Sequence, residues 1–83
     1  MPRRKSTLPP PFTLPGYAVN TWLDLQQELG GIRGKGYTTA QIWKLATAAQ
    51  HQAQFKRGQL DAALLANLKR TRAAFGLPEI PPA

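Results

Sequence analysis

The sequence contains no cysteine, one histidine and four acidic residues among its 83 residues. The absence of cysteine excludes a disulfide framework, a thiolate zinc site and a cysteine nucleophile. The lone His51 and the four scattered carboxylates do not supply the clusters that metal sites and general acid–base catalysis use. No run approaches the ~18 consecutive apolar residues of a membrane span. We therefore expect a protein that is not an enzyme, uses no metal or cofactor and does not span a membrane.

The charges are unevenly distributed along the chain. Eleven Lys and Arg residues against four acids give a net charge of +7. Arg3, Arg4 and Lys5 open the chain and most other bases follow Arg33, whereas segment 17–32 carries two acids and no base. Such asymmetry is typical of proteins that contact phosphate groups or an acidic protein surface.

Eight prolines mark the ends of the chain, five of them within residues 1–16 and three from Pro78 onward. Because proline lacks a backbone donor and biases its predecessor toward extended geometry, both segments are unsuited to helices. We predict an extended basic, Pro-rich arm over 1–16, a helical domain over 17–77 and a Pro-rich tail over 78–83. A charged start that continues into prolines is not typical of a secretory signal peptide. The length, the basicity and the lack of cysteine lead us to expect a cytoplasmic protein of a bacterium or a phage-infected cell.

Three helices are predicted between the two tails. The first covers 20–30, beginning at the N-cap residue Asn20 and ending at a glycine pair. The second covers 38–57, with Thr38 and Gln41 spaced as a capping box. The third covers 59–75, with Asp61 as an acidic residue in its first turn. Helices two and three could form one kinked rod, since an interior glycine costs only ~1 kcal/mol, but we favour a break at Gly58.

The apolar residues of these segments recur at helical spacing, which predicts a small all-α domain built from three helices. The predicted core stripes of the first two helices are Trp22, Leu25, Leu29 and Ile32, and Ile42, Leu45, Ala46, Ala49 and Ala53. The predicted stripe of the third helix is Leu60, Leu64, Leu65, Leu68 and Phe75, and its opposite side carries Ala62, Ala63, Ala66 and Ala73.

Two aromatic residues of the second helix, Trp43 and Phe55, lie away from its predicted core stripe. Trp43 shares its face with Gln50 and Gln54, and amides beside aromatic rings can contact base edges or stack on bases. Alternatively, the two rings pack on the first helix, on the N-terminal arm or on a second copy, or they form an anchor for a partner protein. We therefore class Trp43 and Phe55 as partner-binding candidates.

The glycine-rich loop before the second helix, GGIRGKGYTT, places Arg33 and Lys35 near the free amides of a helix N-terminus. Its glycine spacing and the glycine after Lys35 do not match a nucleotide-binding P-loop. Phosphate-backbone contact and a solvated flexible loop both remain open interpretations.

Residues 36–46, GYTTAQIWKLA, resemble the opening of a helix-turn-helix: an aromatic residue, a capping threonine and an amphipathic helix. In that family a tight turn follows within a few residues and leads into a recognition helix. Here TAAQHQAQFKRG follows with no turn signal before Gly58, so the resemblance covers about eleven residues.

Two functions fit these features. The first is a small basic regulator that binds nucleic acid, with DNA favoured, through phosphate contacts and a helix face. The second is an accessory or inhibitory protein, such as a phage protein, that docks on a larger assembly through its helices and Pro-rich arm. In both cases a homodimer or a subunit of a larger complex is possible. The nucleic-acid candidates are Arg3, Arg4, Lys5, Arg33, Lys35, Lys44, Gln50, Gln54, Lys56, Arg57, Lys69, Arg70 and Arg72.

Overall fold

The computed structural model describes residues 12–80. A short 3₁₀ turn, Gly16–Ala18, leads into three helices that we label α1 (Val19–Glu28), α2 (Thr39–Lys56) and α3 (Ala62–Ala74). Residues 12–80 contain no strand, and the predicted all-α class is confirmed. The Pro-rich stretches 1–11 and 81–83, and with them Arg3, Arg4 and Lys5, lie outside the described residues.

Helix α1 begins one residue before the predicted N-cap. The 3₁₀ turn runs directly into it, Ala18 occupies the cap position without a side-chain hydrogen bond, and Asn20 lies inside the helix. The predicted capping role of Asn20 is therefore wrong. The predicted stop is confirmed: Gly31 has φ 88° and its N–H donates to the Gln26 carbonyl at 2.7 Å. Left-handed φ of this kind is available to glycine at little cost.

Helix α2 has the predicted capping box. The Gln41 N–H donates to Thr38 Oγ1 at 3.1 Å, and the Thr38 N–H donates to Gln41 Oε1 at 2.8 Å. Two of the amides that a helix start leaves without partners are thereby satisfied within the chain. The helix continues without interruption to Lys56, so the early turn of a helix-turn-helix is not present.

The break between α2 and α3 is also confirmed, but α3 begins three residues later than predicted. Gly58 has φ 71° and closes α2, and the chain is non-helical until Ala62. Asp61 is the N-cap of α3, because its carboxylate accepts from the Leu64 N–H at 2.9 Å. The acid thus acts by capping the helix rather than by lying inside its first turn.

The core is centred on α2, which contacts α1, the 3₁₀ turn and α3. The buried cluster consists of Trp22, Leu25, Ile32, Leu45, Ala46, Ala49 and Leu77. These residues confirm the predicted stripes of α1 and α2, with Leu29 and Ile42 half-buried at the margin. Phe12 and Leu14 also pack against the cluster. The core thus receives side chains from Phe12 and Leu14 at one end and Leu77 at the other, and the Pro78 carbonyl accepts from Arg72.

The predicted apolar stripe of α3 is confirmed at Leu68 and in part at Phe75, which packs against the core, and it is wrong at Leu64. Leu68 is the buried member, whereas Leu64 is 38% exposed and Leu60, Leu65 and Phe75 are half-buried. The four alanines expected to allow close helix approach are all exposed. Helix α3 instead buries Leu68 and Arg72, which are one turn apart and therefore share a face.

Candidate nucleic-acid interface

A groove with a volume of about 750 Å³ lies between α2 and α3. The α2 wall presents residues one turn apart, including Lys44, Ala48 and His51, and the α3 wall presents Asn67, Arg70 and Thr71 with the same kind of spacing. The complete lining is Tyr37, Gln41, Trp43, Lys44, Thr47, Ala48, His51, Asn67, Leu68, Arg70, Thr71, Ala74 and Phe75.

Aromatic side chains occupy the groove where α2 starts and α3 ends. Tyr37, just before α2, meets Phe75, just after α3, in an edge-to-face contact with ring centroids 5.8 Å apart. Trp43 lines the same groove one turn into α2 and is 39% exposed. Its ring meets that of Phe12 edge to face at 5.1 Å, so the segment before the 3₁₀ turn covers part of the indole. Trp43 is therefore both a packing residue and an accessible one.

The groove is electropositive. Lys44 and Arg70 line opposite walls and are both exposed, and no carboxylate is among the lining residues. Burial disfavours the imidazolium and lowers the pKa of His51 below its ordinary 6.5, while the nearby Asp61 carboxylate acts in the opposite direction. His51 is therefore mainly neutral at pH 7, and the fixed positive charge of the groove comes from Lys44 and Arg70.

The two threonines of the groove bond to their own helices. Thr47 Oγ1 donates to the Trp43 carbonyl at 2.9 Å, and Thr71 Oγ1 donates to the Asn67 carbonyl at 3.0 Å. Each hydroxyl proton is thereby used within its helix. The other donors of the lining are the two cations, the Gln41 and Asn67 amides, and the Tyr37, Trp43 and His51 side chains.

The residues predicted on the other faces of α2 are not in this groove. Gln54 Nε2 donates to the Tyr17 hydroxyl at 3.1 Å, and Arg57 stacks over the Tyr17 ring at 5.0 Å from its centroid. Gln50 and Phe55 are half-buried outside the groove lining. The structure thus separates the predicted Trp43–Gln50–Gln54 face, placing Trp43 in the groove and Gln54 in a cluster with Tyr17.

The remaining predicted cations lie on the surface. Arg33, Lys35, Lys56, Arg57 and Lys69 are exposed outside the groove lining. The Lys35 ammonium donates to the Leu29 carbonyl at the end of α1, which ties the glycine-rich loop back to that helix.

Arg72 is a correction to the predicted basic surface. It is 5% exposed, and its guanidinium donates to Glu28 Oε1 at 2.8 Å, Gln52 Oε1 at 2.9 Å and the Pro78 carbonyl at 3.0 Å. This one group therefore joins α1, α2, α3 and the segment that follows α3. A guanidinium with its donors directed at protein acceptors does not contact phosphate, so Arg72 has a structural role.

The groove was only partly visible in the sequence. Lys44, Arg70 and Trp43 were candidates, whereas Tyr37, Asn67 and Thr71 were not, and Phe75 was assigned to the core. Asn67 and Thr71 lie within one turn of Leu68 on α3, and all three line the groove. A prediction that turned Leu68 toward α2 would also have placed Asn67 and Thr71 beside that helix.

Within residues 12–80, no cluster of three or more potential metal ligands is present. None of the helices in that range has the length and apolar character needed to cross a bilayer. Comparison of the chain with protein-family models, with curated proteins and with solved structures finds no match in any of the three.

Proposed function

We propose that the protein is a small non-enzymatic regulator that binds nucleic acid through its basic surface. The observation that carries the proposal is the segregation of charge around α2 and α3. The α2–α3 groove carries a cation on each wall and no carboxylate. Further exposed bases lie before α2, at its C-terminal end and on α3: Arg33, Lys35, Lys56, Arg57 and Lys69. Phosphate groups are the natural counterpart of such a surface, and Lys and Arg contacts to them dominate the affinity of nucleic-acid-binding proteins.

The ion pairing within residues 12–80 strengthens this charge asymmetry. The ion pair of that range joins the buried Arg72 to Glu28, so one base and one of the four acids neutralise each other. Asp61 is engaged as the cap of α3. The exposed cations are therefore opposed by few surface carboxylates, and an anionic polymer experiences a net attraction at long range.

A titration of nucleic acid at two salt concentrations tests the proposal. Counterion release predicts that log K falls linearly with log salt, with a slope near −0.9 per phosphate contact on a duplex and about −0.7 on a single strand. We expect binding at low salt with a slope corresponding to several contacts. The absence of binding to either form at low salt would refute the proposed function.

An apolar patch at the start of α1 favours docking on a partner protein as the second candidate. Val19 and Leu23 are one turn apart on α1 and are 43% and 51% exposed, with Tyr17 beside them in sequence. Exposed apolar residues grouped in this way are typical of protein contacts. If this patch mediates self-association, Leu23→Glu shifts the protein to monomer in sedimentation velocity, whereas Leu23→Gln at the same position is the milder control. If the wild-type protein already sediments as a monomer, this patch is not an interface between two copies of the chain.

A further inference from the structure

The width of the helix pair determines which form of nucleic acid can reach the floor of the groove. Two packed helices have axes about 8–10 Å apart and diameters of about 10–12 Å each, so the pair is wider than the ~12 Å major groove of B-DNA. Recognition of a paired base requires a single protruding helix or ribbon in that groove. Side chains in the crevice between α2 and α3 cannot reach base edges inside a duplex.

An unpaired base is a flat apolar group that a crevice can accept. The α2–α3 groove offers the accessible ring of Trp43 on one wall, with Phe75 and Tyr37 at the same end. Aromatic side chains are the usual platforms for unpaired bases, because every base has a π-face and the contact is tolerant of sequence. The volume of about 750 Å³ lies within the range of sites that bury small organic groups.

The charges of the groove are placed for a strand that passes along it. Lys44 lies on α2 at the residue after Trp43, and Arg70 lies on the opposite α3 wall. Asn67 adds an amide donor and acceptor three residues before Arg70, on the same wall. From the crevice width, the aromatic rings and the two cations, we propose that this groove binds an unpaired segment of nucleic acid. One base packs on Trp43, and the flanking phosphates contact Lys44 and Arg70. The inference rests on the proposed nucleic-acid function and specifies its ligand.

The intrinsic fluorescence of the protein provides a direct readout. Of the two tryptophans, Trp22 is 6% exposed in the core and Trp43 is 39% exposed in the groove. A base stacked on Trp43 quenches its emission, whereas Trp22 is shielded. The full-length protein is titrated with oligo-dT of about ten nucleotides, with a duplex of the same length and with an oligoglutamate of similar charge. We expect quenching with oligo-dT and at least about tenfold weaker binding of the duplex at the same salt.

Cations inside and outside the groove on the same helix provide matched variants. Arg70→Gln is paired with Lys69→Gln, and Lys44→Gln is paired with Lys56→Gln, because the second member of each pair removes the same charge outside the groove lining. We expect each groove variant to weaken oligo-dT binding several-fold more than its control and to reduce the salt slope by about 0.7. Trp43→Phe, which retains a ring, abolishes the quench and keeps most of the affinity measured by anisotropy of a labelled strand. Trp43→Ala loses about tenfold, and circular dichroism checks that each variant is folded.

The outcomes separate the inference from the proposed function. Equal affinity for the duplex and for oligo-dT, with no change in Trp43 fluorescence, would refute the groove as a single-strand site and would leave the proposed nucleic-acid binding intact. Oligoglutamate that binds and quenches as strongly as oligo-dT would assign the groove to an acidic peptide instead and refute the inference. Binding of none of the probes would refute both proposals. Groove and control variants with the same effect would also refute the inference, because the charge then acts without regard to position.

Discussion

Replacing Arg72 by methionine should destabilise the protein more than any other single loss of a positive charge in α3. Methionine retains a long apolar side chain for packing but has no donor. The substitution leaves the Gln52 amide oxygen, the Pro78 carbonyl and the Glu28 carboxylate without the guanidinium that satisfies them. An acceptor left without a partner inside a protein costs about 1–3 kcal/mol.

The size of the loss depends on how well each acceptor recovers water. Gln52 is 8% exposed and remains unsatisfied, whereas the Glu28 side chain is 33% exposed and rehydrates in part. We therefore expect a total near 2–4 kcal/mol, below the 3–5 kcal/mol of a fully buried pair that loses one partner. A domain of this size has about 3–10 kcal/mol of stability in all. The corresponding fall in melting temperature is about 10–25 °C.

Urea denaturation followed by circular dichroism measures this loss, and Arg70→Met is the control. Arg70 lies two residues earlier on α3, is exposed and carries the same charge, so its replacement should change stability by less than about 0.5 kcal/mol. Glu28→Gln should cost less than Arg72→Met, because an amide oxygen still accepts from the guanidinium. If Arg72→Met and Arg70→Met unfold at the same urea concentration, the network contributes nothing and the reasoning is refuted.

Three further experiments probe the core, the N-terminal segment and the groove. Leu45→Ala should lower the free energy of unfolding by about 2–5 kcal/mol in chemical denaturation, because Leu45 is fully buried. Trp43→Ala should lower it by about 1–2 kcal/mol, because the ring is partly exposed. Equal losses for the two variants would place Trp43 in the core. Phe12→Ala should cost about 1–2 kcal/mol and the exposed Thr13→Ala almost nothing, whereas equal melts would show that residues before the 3₁₀ turn add no stability. Folding lowers the pKa of His51, so the unfolded state binds more protons than the folded state just below pH 6.5. The free energy of unfolding should therefore fall as the pH drops through 6.5. His51→Gln should make the urea midpoint less dependent on pH between pH 5 and 7.5, and an unchanged pH profile would contradict this expectation.

The helix ends follow from local chemistry, and the sequence predicts most of them. The Thr38–Gln41 capping box and the left-handed Gly58 depend on residues within one turn, so neither needs tertiary information. The predicted capping role of Asn20 is wrong because a residue can cap a helix only where the chain before it is not already helical. The 3₁₀ turn at Gly16–Ala18 supplies that continuity, and no residue type marks it clearly.

Burial in α3 could not be read from its pattern. Leucines at 60, 64, 65 and 68 outnumber the buried positions, and a leucine count does not show which of two overlapping stripes faces the partner helix. One of the two buried residues of α3 is Arg72, whose side chain bonds to Glu28, 44 positions away in the sequence. A buried arginine is the exception among residue types, so composition assigned it to the surface.

The groove, too, could be predicted from the sequence only in part. Lys44 and Arg70 were each predicted as nucleic-acid-binding candidates. Their positions on opposite walls of one groove depend on how α3 packs against α2. Periodicity along one helix describes the faces of that helix and not which faces meet.

The contact between Phe12 and Trp43 makes the segment before the 3₁₀ turn sensitive to what happens in the groove. The indole has one neighbour in that segment and another surface in the groove, so a change in its rotamer alters both environments together. Coupling of this kind is reciprocal: if an occupant changes the equilibrium of the Phe12–Trp43 contact by some factor, formation of that contact changes the affinity for the occupant by the same factor. Amide hydrogen exchange at residues 12–14 would then report occupancy of a site that those residues do not line.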